Sequence, residues 1–472
     1  MLKNNWLSIG LIVAGCGFSG AARAETLQEA LAFAYTGNPT IEAQRARLRA
    51  SDEQVPQALA NWRPTVKLSG DAARTNTYSK SPSSAFNPAT LTNNQIFVSQ
   101  GVLASGKDVS LTVSQPIYRG GRTVAQTKRA EAQVLADRAA LAVTEQTVLL
   151  NVVTAYLNVV QYQAVLDLSI NNEQVLQRQL DATNDRFRVG EVTRTDVAQA
   201  ESRLSAAHAD RTQAAGNLRA AEANYVNVVG HPPEKLEAPG VVPGLPRSIE
   251  QARELALAEN PNVANAAYNY DVAQHGIDLV AGELLPTVTL NGQALRNYEY
   301  EGPKTFERIY QASVNLTVPL YQQGQEYSRL RAQKHTAGQM RIDVDVAKRD
   351  IVESVTKAWE SLATARARIT SYTDQISAAR IALEGVQRES QVGSRTVLDV
   401  LNAEQELLNA RVNLVQAQHD ETVAAYQVKS TVGQLTAQAL ALPVPIYDPT
   451  KHYDEVRDQW IGTEVAPTYG AE

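Results

Sequence analysis

The sequence predicts a mainly α-helical chain written twice, with two β-strands in each copy. Three observations carry this. Tracts of unusual length run without proline, Arg122 to Val189 being 68 residues. Motifs recur at two fixed spacings, and aromatic residues are scarce, at 6% of a chain rich in Ala, Gln, Leu, Val, Arg and Glu. Such a composition suits long helices and coiled coils better than a compact enzyme core.

The internal repeat is read directly from the residues. Asn38-Pro39 returns as Asn260-Pro261, and Arg63-Pro64-Thr65-Val66 returns as Leu285-Pro286-Thr287-Val288, both 222 positions later. Pro116-Ile117-Tyr118 then returns as Pro319-Leu320-Tyr321, Val189-Gly190 as Val392-Gly393, Asp196-Val197 as Asp399-Val400 and Gly230 as Gly433, all 203 positions later. The copies therefore differ by an insertion of 222 minus 203, or 19, residues between Gly70 and Pro116. The expected organisation is a signal peptide at 1–24, a first repeat at 25–230, a proline-rich linker at 231–247, a second repeat at 248–433 and a C-terminal periplasmic tail at 434–472, wrapped on the outside or disordered.

The leader has Lys3, an apolar run from Trp6 to Phe18 and Ala22-Arg23-Ala24 as a small-x-small cleavage site. Val13-Ala14-Gly15-Cys16 also fits a lipoprotein signal, with Cys16 as the lipid anchor. On either reading the folded body has no cysteine, so disulfide and thiol chemistry are excluded. Removing Lys3 and Arg23 takes the formal charge from -6 to -8, which argues against a nucleic-acid partner. Past the leader no unbroken apolar run reaches the roughly 20 residues of a spanning helix. A chain of this kind crosses a bilayer only as a closed barrel.

Each copy is expected to open with a helix, Thr26 to Asn61 and Ser248 to Leu284, stopped before Pro64 and Pro286. Strands follow at Thr65 to Thr75 and Val102 to Gln115, then at Thr287 to Tyr298 and Arg308 to Val318, with alternation such as Val109, Leu111, Val113. The Ser-, Thr-, Asn- and Pro-rich stretch from Tyr78 to Gln95 reads as a surface loop holding the insertion. The long tracts after Gly121 and Gly324 read as helical hairpins. In the second, Ile369, Tyr372, Ile376, Ala379, Leu383 and Val386 step by 3 and 4 as a coiled-coil seam, with Val397, Leu401, Leu408, Val412 and Val415 as its partner. Gly190 and Gly393 sit where a helix end needs positive φ. Thr193 with Asp196, and Thr396 with Asp399, have the spacing of a capping box.

Four strands per chain are too few for a membrane barrel, whose smallest members need about eight. Closure requires further copies, two giving eight strands and three giving twelve.

Nearly the whole mature chain resembles the TolC family of outer-membrane efflux and secretion channels. The likeness runs from Leu27–Pro39 through Gln115-Pro-Ile-Tyr-Arg-Gly-Gly121 to the stretch Val392-Gly-Ser-Arg-Thr-Val-Leu-Asp-Val-Leu-Asn-Ala403, which is similar to the family's inner coiled-coil turn. The resemblance implies a homotrimer with a twelve-stranded β-barrel in the lipid bilayer and an α-barrel of helical hairpins in the periplasm. It further implies a periplasmic adaptor protein and an inner-membrane ABC or RND-type transporter as partners. For the gate it implies that Asp399 and, one turn on, Asn402 line the narrowest point, and that Arg395 latches onto Thr195 and Asp196 of a neighbour. Two positions depart from the family pattern: Asn402 stands for a second aspartate and Ser390 for a tyrosine, so one ring of acid and a sparser latch are expected. The residues alone fit Asp196 and Asp399 as helix caps and Arg395 as a surface partner equally well.

No cofactor or metal is expected. The six histidines include no pair at a metal-ligand spacing, and Gly120-Gly121 lacks the Gly-Lys-Ser/Thr of a phosphate loop. No nucleophile with a base appears, so an enzyme is not indicated. A coiled-coil envelope scaffold without a conduit is the remaining alternative, and the duplicated strand pairs argue against it. Protein secretion and drug efflux are not separable from these residues.

Overall fold

The computed structural model describes residues 25–299 and 304–464. The leader, with Lys3, Cys16 and the cleavage site after Ala24, lies outside the described residues, as does the end of the tail from 465.

The first segment opens with α1 (Leu27–Gly37), held by a full capping box in which Thr26 N–H donates to Glu29 Oε2 (2.8 Å) and Glu29 N–H to Thr26 Oγ1 (3.3 Å). The expected single helix to Asn61 is in fact broken. Asn38, preceding proline, is forced into extended backbone (φ -74°, ψ 121°), and Pro39 starts α2 (Pro39–Asp52), followed by α3 (Gln54–Leu59) and a 3₁₀ turn at Ala60–Trp62. The strands β1 (Thr65–Asn87) and β2 (Thr92–Arg119) come next, then α4 (Arg122–Arg188) and α5 (Arg194–Val229). The same order returns as α6 (Ile249–Glu259), α7 (Pro261–Ala281), β3 (Thr287–Tyr298), β4 (Phe306–Thr317), α8 (Gln325–Gln391) and α9 (Val397–Thr431). Here too the helix expected from Ser248 splits at Asn-Pro, where the side chain of Asn260 caps α7 by accepting from Asn262 N–H (2.8 Å).

The four strands form one antiparallel sheet in the order β1-β2-β3-β4. The stretch expected to be a loop is strand. β1 and β2 pair without a break from Thr65↔Ser114 to Asn87↔Thr92, so the insertion lengthens both strands and the turn shrinks to 88–91. Pro82 lies on β1, an edge strand of the chain's own sheet, which is where a strand tolerates proline. Ser, Thr and Asn keep β geometry there with no buried face to demand apolar alternation.

Contacts divide the chain into two compact units. One contains Glu145–Glu254 and Ser354–Ile446 with the N-terminal residues through Pro39, the other Thr40–Thr144, Leu255–Glu353 and the residues from Tyr447. The helices α4 and α8 supply residues to both. In the second unit Leu48, Val55 and Ala58 pack on Ala130, Val134 and Leu141 of α4, and Tyr447 and Tyr453 from the tail close over them. His452 of α10 (Lys451–Val456) lies 3.0 Å from the fully buried Asp52, whose carboxyl is pushed up by burial. In the first unit the tail buries Leu435, Ala437 and Leu442. The tail is thus packed at Leu435, Ala437, Leu442 and Val456, while Trp460 and Ile461 stand exposed.

The first unit is a packing of long helices. Its α4 segment buries Leu149, Val152, Val153 and Tyr156. One 18-residue window of α4 is apolar enough to cross a bilayer by composition, but half of it is buried among other helices, as in a core helix. The Tyr156 hydroxyl lies 2.7 Å from the carbonyl oxygens of both Glu25 and Glu237 and shares its single proton between them, and the Tyr225 hydroxyl donates to Glu25 Oε1 (2.7 Å), so the start of the described chain is pinned to the linker. Alanines buried at seven-residue steps, Ala200, Ala207, Ala214 and Ala221 in α5 and Ala410, Ala417 and Ala424 in α9, let these two helices approach closely.

The expected seam is half right. Leu383, with Ile376, Ala379 and Val386 of α8, meets Val400, Ala403 and Leu407 of α9. Val397 and Leu401, expected on that seam, instead pack on Leu176, Leu180, Ala200 and Ala207 of the first hairpin. A helix in contact with two neighbours carries two apolar stripes, and the residue spacing alone does not say which stripe meets which. Replacing Leu407, 5% exposed, by Ala should cost about 2–4 kcal/mol, and replacing the half-buried Leu408 should cost clearly less, as read by thermal unfolding. The reverse order would contradict this seam.

Candidate functional site

Two regions bear on function, the sheet and the hairpin turns. In the sheet, register places Leu68, Leu111, Ala294 and Tyr310 in one cross-strand row and Val66, Val113, Gly292 and Ala312 in the next. Val109, Leu290, Val314 and Leu316 extend the same face. It is apolar yet uncovered within one chain, Leu68 being 71% and Tyr310 81% exposed. The opposite face is mostly polar, with Lys67, Ser69, Asp71, Asp108, Ser110, Thr112, Asn291, Gln293, Gln311 and Ser313, and it holds Leu295 and Ile309 as one apolar pair. Hydrogen bonds run along it, Ser69 Oγ to Ser110 Oγ at 2.8 Å and Ser114 Oγ to Asn291 Oδ1 at 2.7 Å. An exposed apolar face this large on a soluble monomer is an interaction surface. With a polar reverse side it is the pattern of a barrel wall between lipid and water.

Aromatic residues mark both ends of the apolar face. Tyr298 and Phe306 pair across the β3–β4 hairpin, with the guanidinium of Arg296 4.7 Å from the tyrosine ring and that of Arg308 5.3 Å from the phenylalanine ring. At the other end Tyr118 and Tyr321 are exposed, as residues of an interfacial girdle would be. Among the described residues, the outer edges of β1 and β4 have no partner strand in the sheet. In hydrocarbon such edges must be paired.

The hairpin turns are alike in both copies. Gly190 and Gly393 adopt left-handed backbone (φ 81° and 78°), which lets Glu191 N–H reach Arg186 O (2.9 Å) and Ser394 N–H reach Glu389 O (3.0 Å). The next helix restarts at once. Thr193 N–H donates to Asp196 Oδ2 (2.8 Å) and Asp196 N–H to Thr193 Oγ1 (3.3 Å); Thr396 N–H donates to Asp399 Oδ2 (3.0 Å) and Asp399 N–H to Thr396 Oγ1 (3.2 Å). Donation from the Thr396 backbone N–H and hydroxyl holds the Asp399 carboxyl below the usual carboxylate range. The sign follows from that direction: the cap's contribution is full above the ordinary carboxylate pKa and is lost as pH falls through the lower folded value.

Within one chain Asp196 and Asp399 are therefore caps, each using one carboxylate oxygen for the box. Thr195 stands exposed, and Arg395, also exposed, pairs with Glu389 of its own hairpin (Nε to Oε2, 3.0 Å). Asn402 is held by a residue the sequence reading did not single out, Arg203 of α5, whose Nη2 donates to Asn402 Oδ1 (2.8 Å). No spacing rule links positions 199 residues apart, so that bond was not legible before folding; Glu389, six residues before Arg395, pairs with it across the turn.

Comparison with known proteins agrees with this geometry. The profile described as "Outer membrane efflux protein" matches residues 28–231 and 252–434. The chain is 34% identical to the outer membrane efflux protein BepC of Brucella suis, covering 97% of this chain and 96% of that protein. It is 26% identical to the outer membrane protein TolC of Escherichia coli, covering 92% and 86%. In fold it matches the CmeC outer membrane channel of Campylobacter jejuni with a TM-score of 0.74, over 92% of this chain and 89% of that one, at 15% identity. The chain belongs to the outer membrane efflux protein family and is a channel component of an export system, seated in the outer membrane and reaching into the periplasm.

Proposed function

We propose that three copies close a single twelve-stranded barrel and that their helical hairpins form a conduit gated at its periplasmic end. An adaptor protein couples it to an inner-membrane ABC or RND-type transporter. The observation that carries this is the four-stranded sheet with one apolar face, one polar face and two free edges. Cargo passes through without bond chemistry. Protein secretion and drug efflux use the duct in the same way, because the inner-membrane partner selects what enters.

In this reading Asp399 and Asn402 of the three copies face one another at the constriction, and Asp399 does double duty as helix cap and pore charge. Three carboxylates in a narrow pore favour bound cations. Arg395 leaves or shares Glu389 to latch onto Thr195 and Asp196 of the neighbouring copy, and its release lets the inner hairpins swing outward as rigid bodies.

Purified protein in planar bilayers should conduct ions; a hermetic bilayer at saturating protein would exclude the conduit. Asp399→Asn keeps an oxygen for the cap while removing the charge, and should weaken block by multivalent cations roughly tenfold. Arg395→Ala should raise resting conductance. Wild-type currents in both variants would remove the gate from these residues.

The wall is tested separately. Leu68→Arg places a guanidinium toward lipid, at about 2–4 kcal/mol near the bilayer midplane, and should deplete assembled protein from the outer membrane. Asp71→Arg, three residues on and facing the lumen, should assemble normally. Equal assembly of the two variants would contradict the assignment of faces.

A further inference from the structure

The contacts between the two hairpins of one chain are mostly apolar near the turns. Val397 and Leu401 of α9 lie against Leu176, Leu180, Ala200 and Ala207, and Val197 and Leu204 close the edge. Such packing holds two helices together and lets them slide or roll, because dispersion contacts have little directionality. At the rim of this patch stands one directional bond. Arg203, lying between Ala200 and Ala207 on α5, donates to the amide oxygen of Asn402, the residue after Leu401, at 2.8 Å.

Other side-chain bonds from α9 to the first hairpin are made by Gln416 with Gln161 and by His419 with Asn158 (2.9 Å). They lie 14 and 17 residues farther along, roughly 20–25 Å at the helical rise. The ion pair of Arg395 with Glu389 stays inside the second hairpin and ties it to nothing else in its own chain. A swing of the second hairpin about its upper contacts would move Asn402 away from Arg203 before it disturbed either distant bond.

We propose that Arg203 is a positioning residue of the closed gate, holding the second hairpin of each protomer against that protomer's own first hairpin through Asn402. The inference rests on the gate reading given above. It gives position 402 a use for a neutral side chain: the amide oxygen accepts from the guanidinium, and the constriction keeps a single ring of acid at Asp399. An aspartate at 402 would keep the tether as an ion pair.

The test uses the full-length protein in planar bilayers. Arg203→Ala and Asn402→Ala should each raise resting conductance about two- to fivefold, the range set by one exposed charge-assisted contact. The double variant should exceed neither single variant, since both remove the same bond. Asn402→Asp should stay at or below wild-type conductance, and adding Arg203→Ala to it should reverse that. Unchanged helical content and assembled mass in these variants separate a lost tether from a damaged fold. Additive single effects, or wild-type currents in Arg203→Ala while the Asp399 and Arg395 variants alter theirs, would overturn the tether and leave the gate reading standing. Wild-type currents in every one of these variants would overturn both.

Discussion

Every backbone N–H and C=O placed in hydrocarbon must find a partner within protein, and the rest of this molecule is arranged around that constraint. One chain supplies four strands whose inner ladders are complete and whose two outer edges are not. The side chains agree with the backbone. Val66, Leu68, Leu111, Val113 and Tyr310 stand on one face without cover, with Arg296 and Arg308 at its hairpin end, while Ser69, Asp71, Asp108, Thr112 and Asn291 stand on the other. A sheet of this kind leaves backbone groups and apolar side chains without cover in a single copy, and in the proposed barrel association of identical chains completes it.

The helical part is ruled by a different requirement, close approach over long distances with little specific chemistry. Alanine at seven-residue steps in α5 and α9 meets it, and a few bulky residues such as Leu383, Leu401 and Leu407 fix the register. Near the turns polar groups take over. The two capping boxes stop and restart the chain within a few residues, and the Asp399 carboxylate that completes one of them is also the charge set at the constriction in the proposed gate. A residue with both duties couples the geometry of the turn to the electrostatics of the pore.

Much of this was legible in the residues. The duplication follows from motifs recurring at fixed spacing, and the four strands, the glycine turns and both capping boxes follow from local rules that act over a few positions. Where expectation and structure differ, one cause is local and the others are tertiary. Asn38 and Asn260 were expected inside helices, yet the following prolines expel them from helical backbone and break each helix there. The insertion looked like a loop because Ser, Thr, Asn and Pro are loop-formers, but on an edge ribbon with no buried face those residues pair as strand and Pro82 is harmless. Val397 and Leu401 fit the heptad of one seam and were used on another. Arg203 and Asn402 are joined only by folding, and no local pattern announces them.

The account stands or falls on shared closure of the sheet. The direct measurement is the number of chains per particle for the purified protein in detergent, by light scattering with the detergent mass subtracted. Three chains per particle, dissociating only on unfolding of the sheet, is the predicted result. A stable single chain with its four strands intact, or a particle of two chains, would contradict it.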